Sequence, residues 1–145
     1  MSEELVFRFK VEGDDFTSAG QASVQVKKNL RQLGLDSETI RRVSIAMYEG
    51  EINMVIHAGG GTAEVRVCEE YIEIILEDTG PGIKDIEQAM QAGYSTASDT
   101  VRSLGFGAGM GLPNMKKNSD SMQITSTVGV GTRIAMRINT RGTGV

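Results

Sequence analysis

Tryptophan is absent from the 145 residues, and all aromatic side chains together make up only 5% of them. So few rings provide no surface on which bases could stack, and a core must be built from Ile, Val, Leu, Met and Ala, as in layered helix-and-sheet packing. Cysteine occurs once, at Cys68, and histidine once, at His57. A single thiol excludes an internal disulfide and points to a reducing compartment, and the pair is too few for the Cys/His cluster of a zinc or iron site. Positive charge is in the minority, with 15 Lys and Arg against 19 Asp and Glu for a net charge of −4. The basic residues are scattered, so the electrostatic footprint of a DNA or RNA binder is missing and no direct nucleic-acid contact is expected. Long hydrophobic runs are missing too. No stretch approaches the ~20 apolar residues that span a bilayer, and Glu3 and Glu4 stand where a signal peptide is basic. The expected location is the cytoplasm, without membrane association.

What is present suffices for one core. At 39% hydrophobic, residues 1–140 read as a single domain, followed by a flexible Gly/Thr-rich tail at 141–145. Residues 5–11 alternate as an opening strand, and Ala19, Ala22, Val26, Leu30 and Leu33 lie at helical spacing within 17–33, ahead of Gly34. Asp36 or Ser37 can cap a second helix reaching Ala58, with Ile40, Val43, Met47 and Ile56 inside and the run Gly59-Gly60-Gly61 as its stop. Residues 65–68 and 71–77 form one hairpin around Glu69-Glu70, and 122–127 and 132–138 a second around residues 128–131. Between the hairpins, 84–90 reads as a short helix and 91–104 as a polar loop. Leu112-Pro113 opens another helix, with proline in the first turn, where a missing N–H is tolerated.

Three motifs carry the chemistry. Asp78-Thr79-Gly80-Pro81-Gly82-Ile83 follows a strand directly. A carboxylate beside two glycines suits recognition of an amine-bearing planar group at a tight turn, although the pattern alone also fits a capped turn. Upstream, Glu49, Asn53 and His57 recur every four residues. Four residues advance a helix by about 400°, so all three fall on one stripe, which by itself also fits a solvated face. Downstream, Gly105, Gly107, Gly109 and Gly111 alternate just before a helix, where free backbone N–H groups can cradle phosphate. Neither the Walker pattern nor the dinucleotide fingerprint fits this run, and the His-Arg-Asp and Asp-Phe-Gly signatures of eukaryotic kinases are missing. Together the motifs read as a nucleotide site.

This arrangement resembles the GHKL, or Bergerat-type, ATPase superfamily over nearly the whole chain. Residues 49–58 match its asparagine box, 78–82 and 105–111 its two glycine boxes, and Gly131-Thr132 its closing Gly-Thr. Within the superfamily, residues 89–96 and 109–113 look most like the anti-sigma regulatory serine/threonine kinases, the stressosome switch kinases in particular. Residues 97–104 make the segment before the second glycine box longer than in those kinases. The resemblance implies an α+β two-layer sandwich, with a mixed, mostly antiparallel sheet and helices on one face.

It also implies a protein serine/threonine kinase that uses ATP and Mg²⁺ and regulates transcription through partner switching. Asn53 would be the Mg²⁺ ligand, Glu49 the catalytic base and Asp78 the adenine reader. Gly80, Gly82, Gly105, Gly107, Gly109, Gly111 and Thr132 would complete the ATP site, and 84–104 would be its lid, with Ser95 and Thr96 part of the lid rather than nucleophiles. The implied partners are a STAS-domain antagonist, a sigma factor or a downstream phosphatase, and a second copy in a homodimer. The alternative is an ATP-binding anti-sigma or adaptor module with little or no phosphoryl transfer. A histidine-kinase catalytic domain fits less well, because no dimerisation helices bearing a phosphoacceptor His are present. His57 is open to reading as a phosphoacceptor, an orienting donor or a packed helix-end residue, and no catalysis is assigned to it.

Overall fold

A computed structural model describes residues 4–13, 19–83, 86, 90 and 111–140. Strands β1 (Leu5–Glu12), β2 (Gly60–Val67), β3 (Tyr71–Asp78), β4 (Ser121–Thr127) and β5 (Gly131–Asn139) form one sheet in the order β1-β2-β3-β5-β4. Helices α1 (Gln21–Gln32) and α2 (Ser37–Ala58) connect β1 to β2, and α3 (Gly111–Lys117) precedes β4. Two consecutive helices make a return trip, so β2 begins where β1 ended, with Glu12 opposite Gly60. Every described pairing is antiparallel. The expected mixed sheet is therefore antiparallel throughout among the described residues.

Period-two alternation gives the sheet two unlike faces. On one, Val65 stands opposite Ile74, Ile74 opposite Met136, and Leu76 and Ile124 opposite Ile134. These residues join Val26 and Leu30 of α1, Val43, Met47 and Val55 of α2, and Leu112 and Met115 of α3 in the hydrophobic core. The helices thus cover that face, giving the two-layer α+β sandwich. The other face carries ion pairs, including Arg8 with Glu64 at 2.9 Å and Arg66 with Glu64 at 2.6 Å. Such surface pairs contribute little to stability.

Helix α2 keeps its expected bounds. Asp36 Oδ2 accepts from Thr39 N at 3.1 Å, and Gly59, at φ 71°, ends the helix in the left-handed conformation. Other details differ from expectation. Helix α1 starts at Gln21, because Gly20 sits at φ 98° and breaks helical geometry, while Leu33 lies past its end and 43% exposed. Gly60 and Gly61 do not prolong the helix stop but open β2, pairing with Glu12 and Val11 where a side chain on Gly60 would collide with the Val11 carbonyl. Met54 and Val55 supply the core contacts expected of Ile56, which is only half-buried. Both hairpins form: β2 begins at Gly60 rather than Val65 and ends at Val67 rather than Cys68, while β3, β4 and β5 run at most one residue past either end of the expected runs. The expected helix at 84–90, the loop at 91–104 and the tail at 141–145 lie outside the described residues except for Ile86 and Met90, where Met90 N donates to the Ile86 carbonyl at 3.0 Å.

Candidate functional site

Helix α2 presents Glu49 and Asn53 one turn apart and lies close to the sheet because Gly50 has no side chain: a Cβ there would collide with Leu76 of β3. Glu49 is half-buried where α2 meets the start of α3. Its Oε1 accepts a long 3.4 Å hydrogen bond from Asn114 Nδ2, and its Oε2 would lie 3.7 Å from a Cβ on Gly111. Burial raises the Glu49 carboxyl above the ordinary carboxylate range, and the bond from Asn114 only partly offsets this. A carboxylate held there, near but not inside the apolar layer, is a stronger proton acceptor than an exposed one. His57, two turns further along, has its pKa lowered by burial and is therefore neutral at neutral pH.

Asp78 closes β3 opposite Thr132 of β5. Its Oδ1 accepts from Gly80 N at 3.0 Å and from Thr132 N at 3.2 Å, which fixes the carboxylate and ties the first glycine box to the closing Gly-Thr. Glycine is required twice at this corner. Gly82, at φ 80°, passes so close to β4 that a Cβ would sit 2.5 Å from the Thr127 carbonyl oxygen, and a side chain on Gly131 would collide with the Asp78 carbonyl. At Gly80 a Cβ would lie 2.7 Å from Ala58 Cα, so the glycine-box turn packs on the end of α2. Glu49, Asn53, Asp78, Gly80, Gly82, Gly111 and Thr132 are thereby set around α2 and the adjoining ends of β3, α3 and β5. Gly105, Gly107 and Gly109, like most of the expected lid, lie outside the described residues.

Two residues that the motifs did not single out hold this arrangement. Glu51 is 3% exposed. Its Oε2 accepts from Gly20 N at 2.9 Å and Ala22 N at 3.2 Å, and its Oε1 from Ser23 N at 3.1 Å. It therefore caps α1, whose own N-cap, Gly20, has no side chain to offer. Two residues turn a helix by about 200°, so Glu51 anchors the side of α2 away from Glu49 and Asn53. Ser126 of β4 faces Thr132, with the two hydroxyl oxygens 2.8 Å apart, and accepts from Ile83 N at 2.7 Å.

The family model of the histidine kinase-like ATPase domain matches residues 14–138, and the chain belongs to that family. Relatives include the serine/threonine-protein kinase RsbT of Bacillus subtilis, 31% identical over 138 residues that cover 92% of this chain and 95% of RsbT. The anti-sigma F factor of Clostridium novyi is 36% identical over 122 residues, covering 80% of this chain and 82% of that protein. The solved structure of the mycobacterial sensor histidine kinase MprB shares the fold at a TM-score of 0.53 and 15% identity, covering 95% of this chain and 99% of that one.

Proposed function

We propose that this protein is an ATP-dependent serine/threonine kinase of the anti-sigma or switch type. It transfers the ATP γ-phosphoryl group to a Ser or Thr hydroxyl of a STAS-domain antagonist and acts in the cytoplasm through partner switching. The observation that carries this reading is the half-buried Glu49 carboxylate, one turn before Asn53 and against the Gly111 end of α3. The name of RsbT, a serine/threonine-protein kinase, supports the reaction class, and that of the anti-sigma F factor supports the regulatory role. Among the described residues no helix is long and apolar enough to cross a membrane. Residues 1–140 act as one ATP-binding unit. A sigma factor, a downstream phosphatase and a second copy of the chain are the further partners this reading admits.

Phosphoryl transfer leaves a protein mainly to position groups and offset charge. In the proposed reaction the partner's hydroxyl oxygen bonds to the γ-phosphorus as the bond to the ADP oxygen breaks. Glu49 takes the hydroxyl proton, and its raised pKa strengthens it as an acceptor. Asp78, held by two backbone N–H groups, accepts from the adenine amine. Asn53 would offer a side-chain oxygen to Mg²⁺, which would supply positive charge to offset that of the phosphate oxygens. Among the described residues no group of three or more His, Cys, Asp or Glu could hold a metal ion, so Mg²⁺ would take its remaining ligands from water and substrate phosphates.

Calorimetry on Asn53→Ala tests the site. Mg²⁺-dependent ATP binding is expected to vanish while the circular-dichroism spectrum stays parental, because the substitution removes an oxygen ligand without burying a polar group. Parental affinity in the presence of Mg²⁺ would remove Asn53 from the metal site, and a collapsed spectrum would make its role structural.

A further inference from the structure

We infer that Asn114 is a positioning residue for phosphoryl transfer: its side-chain amide holds one oxygen of Glu49 and leaves the other, on the Gly111 side, as the oxygen that takes the hydroxyl proton. The inference rests on Glu49 being the base and gives its two oxygens different tasks. Asn114 Nδ2 donates to Glu49 Oε1 at 3.4 Å. An ionised carboxylate only accepts, so the amide nitrogen rather than the amide oxygen faces it. Oε2 lies 3.7 Å from the place a Cβ on Gly111 would take. Glycine leaves room there, whereas a side chain would rest against that oxygen.

Asn114 works from a fixed backbone. Leu112 and Met115 bury α3 in the core on either side of it. The Asn114 carbonyl accepts twice from Asn118, from its N at 3.1 Å and its Nδ2 at 2.9 Å, and Asn118 is itself buried. Glu49 is the freer partner, because the last torsion of a glutamate side chain is broad and lets the carboxylate spin. Holding one oxygen removes that freedom before the hydroxyl arrives, which is how positioning lowers a barrier. A bond of 3.4 Å is long for an N–H donor, and catalytic hydrogen bonds of this kind often tighten only when substrate is bound. In the reaction Oε2 takes the proton as the hydroxyl oxygen bonds to the γ-phosphorus and the bond to the ADP oxygen breaks.

The test measures transfer from ATP to a STAS-domain protein by the parent, Asn114→Ala, Asn114→Asp, Glu49→Gln and the double variant Glu49→Gln with Asn114→Ala, together with the melting temperature of each. Asn114→Ala should lower kcat by about tenfold, the effect of one lost hydrogen bond, at a parental KM for ATP. Asn114→Asp keeps the shape of the side chain but sets a second carboxylate against Glu49, and should lower kcat further. With Glu49→Gln already in place, Asn114→Ala should change the remaining rate by no more than about twofold, because the group it positions no longer takes a proton. An asparagine that only holds α3 in place would lower the melting temperature, raise the KM for ATP and slow transfer equally with Glu49 or Gln at position 49. That result overturns the inference, as does a parental kcat in Asn114→Ala. Glu49→Gln separates the two levels. If it is slow while Asn114→Ala is parental, the inference about Asn114 alone falls; if Glu49→Gln itself transfers at the parental rate, or the parent transfers no phosphate, the base reading and the inference fall together.

Discussion

Glu49→Gln should bind Mg²⁺-ATP with parental affinity and transfer phosphate roughly 10²- to 10⁴-fold more slowly, the usual contribution of a general base. The amide keeps the size of the side chain and can still accept from Asn114, so only proton acceptance is removed. The raised pKa adds a pH signature. The base works only when ionised, so the acid limb of the parental rate profile should lie above the ordinary carboxylate range and be absent from the variant. Stability should change in the opposite direction. A carboxyl whose folded-state pKa is raised binds more protons folded than unfolded, so its contribution worsens as pH rises between the two values and is fully unfavourable above the folded one. Glu49→Gln should therefore be at least as stable as the parent at neutral pH. A parental transfer rate would leave Glu49 as a polar helix residue and require another base.

Glu51→Gln should behave in the reverse manner, although it changes the same residue type two positions away. Both Glu51 oxygens accept from backbone N–H groups at the start of α1. An amide offers one acceptor and turns an NH₂ donor toward the remaining N–H, leaving buried donors unsatisfied. We expect a loss of about 3 kcal/mol, or roughly 10 °C in melting temperature, from Glu51→Gln and Glu51→Ala alike. Thermal denaturation measures it directly. A glutamine variant melting within ~2 °C of the parent would mean that the three bonds to α1 do not hold this end of the helix.

The contrast between these two glutamates shows what could be read from sequence. Four-residue spacing was enough to put Glu49 and Asn53 on one stripe of α2, and Asp36 with Gly59 marked the ends of that helix, because these signals are local. Helix geometry turns Glu51 away from that stripe. Its partner was not, since the start of α1 lies 28 to 31 residues earlier and meets it only in the packed fold. Ser126 is hidden for the same reason: a serine in a strand is commonplace, and the amide that it accepts from is 43 residues away. Gly60 and Gly61 were read as part of the helix stop, because sequence alone does not reveal that β1 runs alongside and needs room for its backbone. Asp78, Gly80 and Gly82 kept their place at a strand end because a turn of that composition requires little long-range information.

Phosphate transfer tests the central claim most directly: incubation of the protein with γ-labelled ATP, Mg²⁺ and STAS-domain proteins encoded nearby, followed by identification of the labelled residue. The account predicts phosphoserine or phosphothreonine on a STAS partner, formed by the parent and lost with Glu49→Gln. ATP-dependent association of the same partner without any transfer would contradict it and leave an ATP-binding adaptor in place of a kinase.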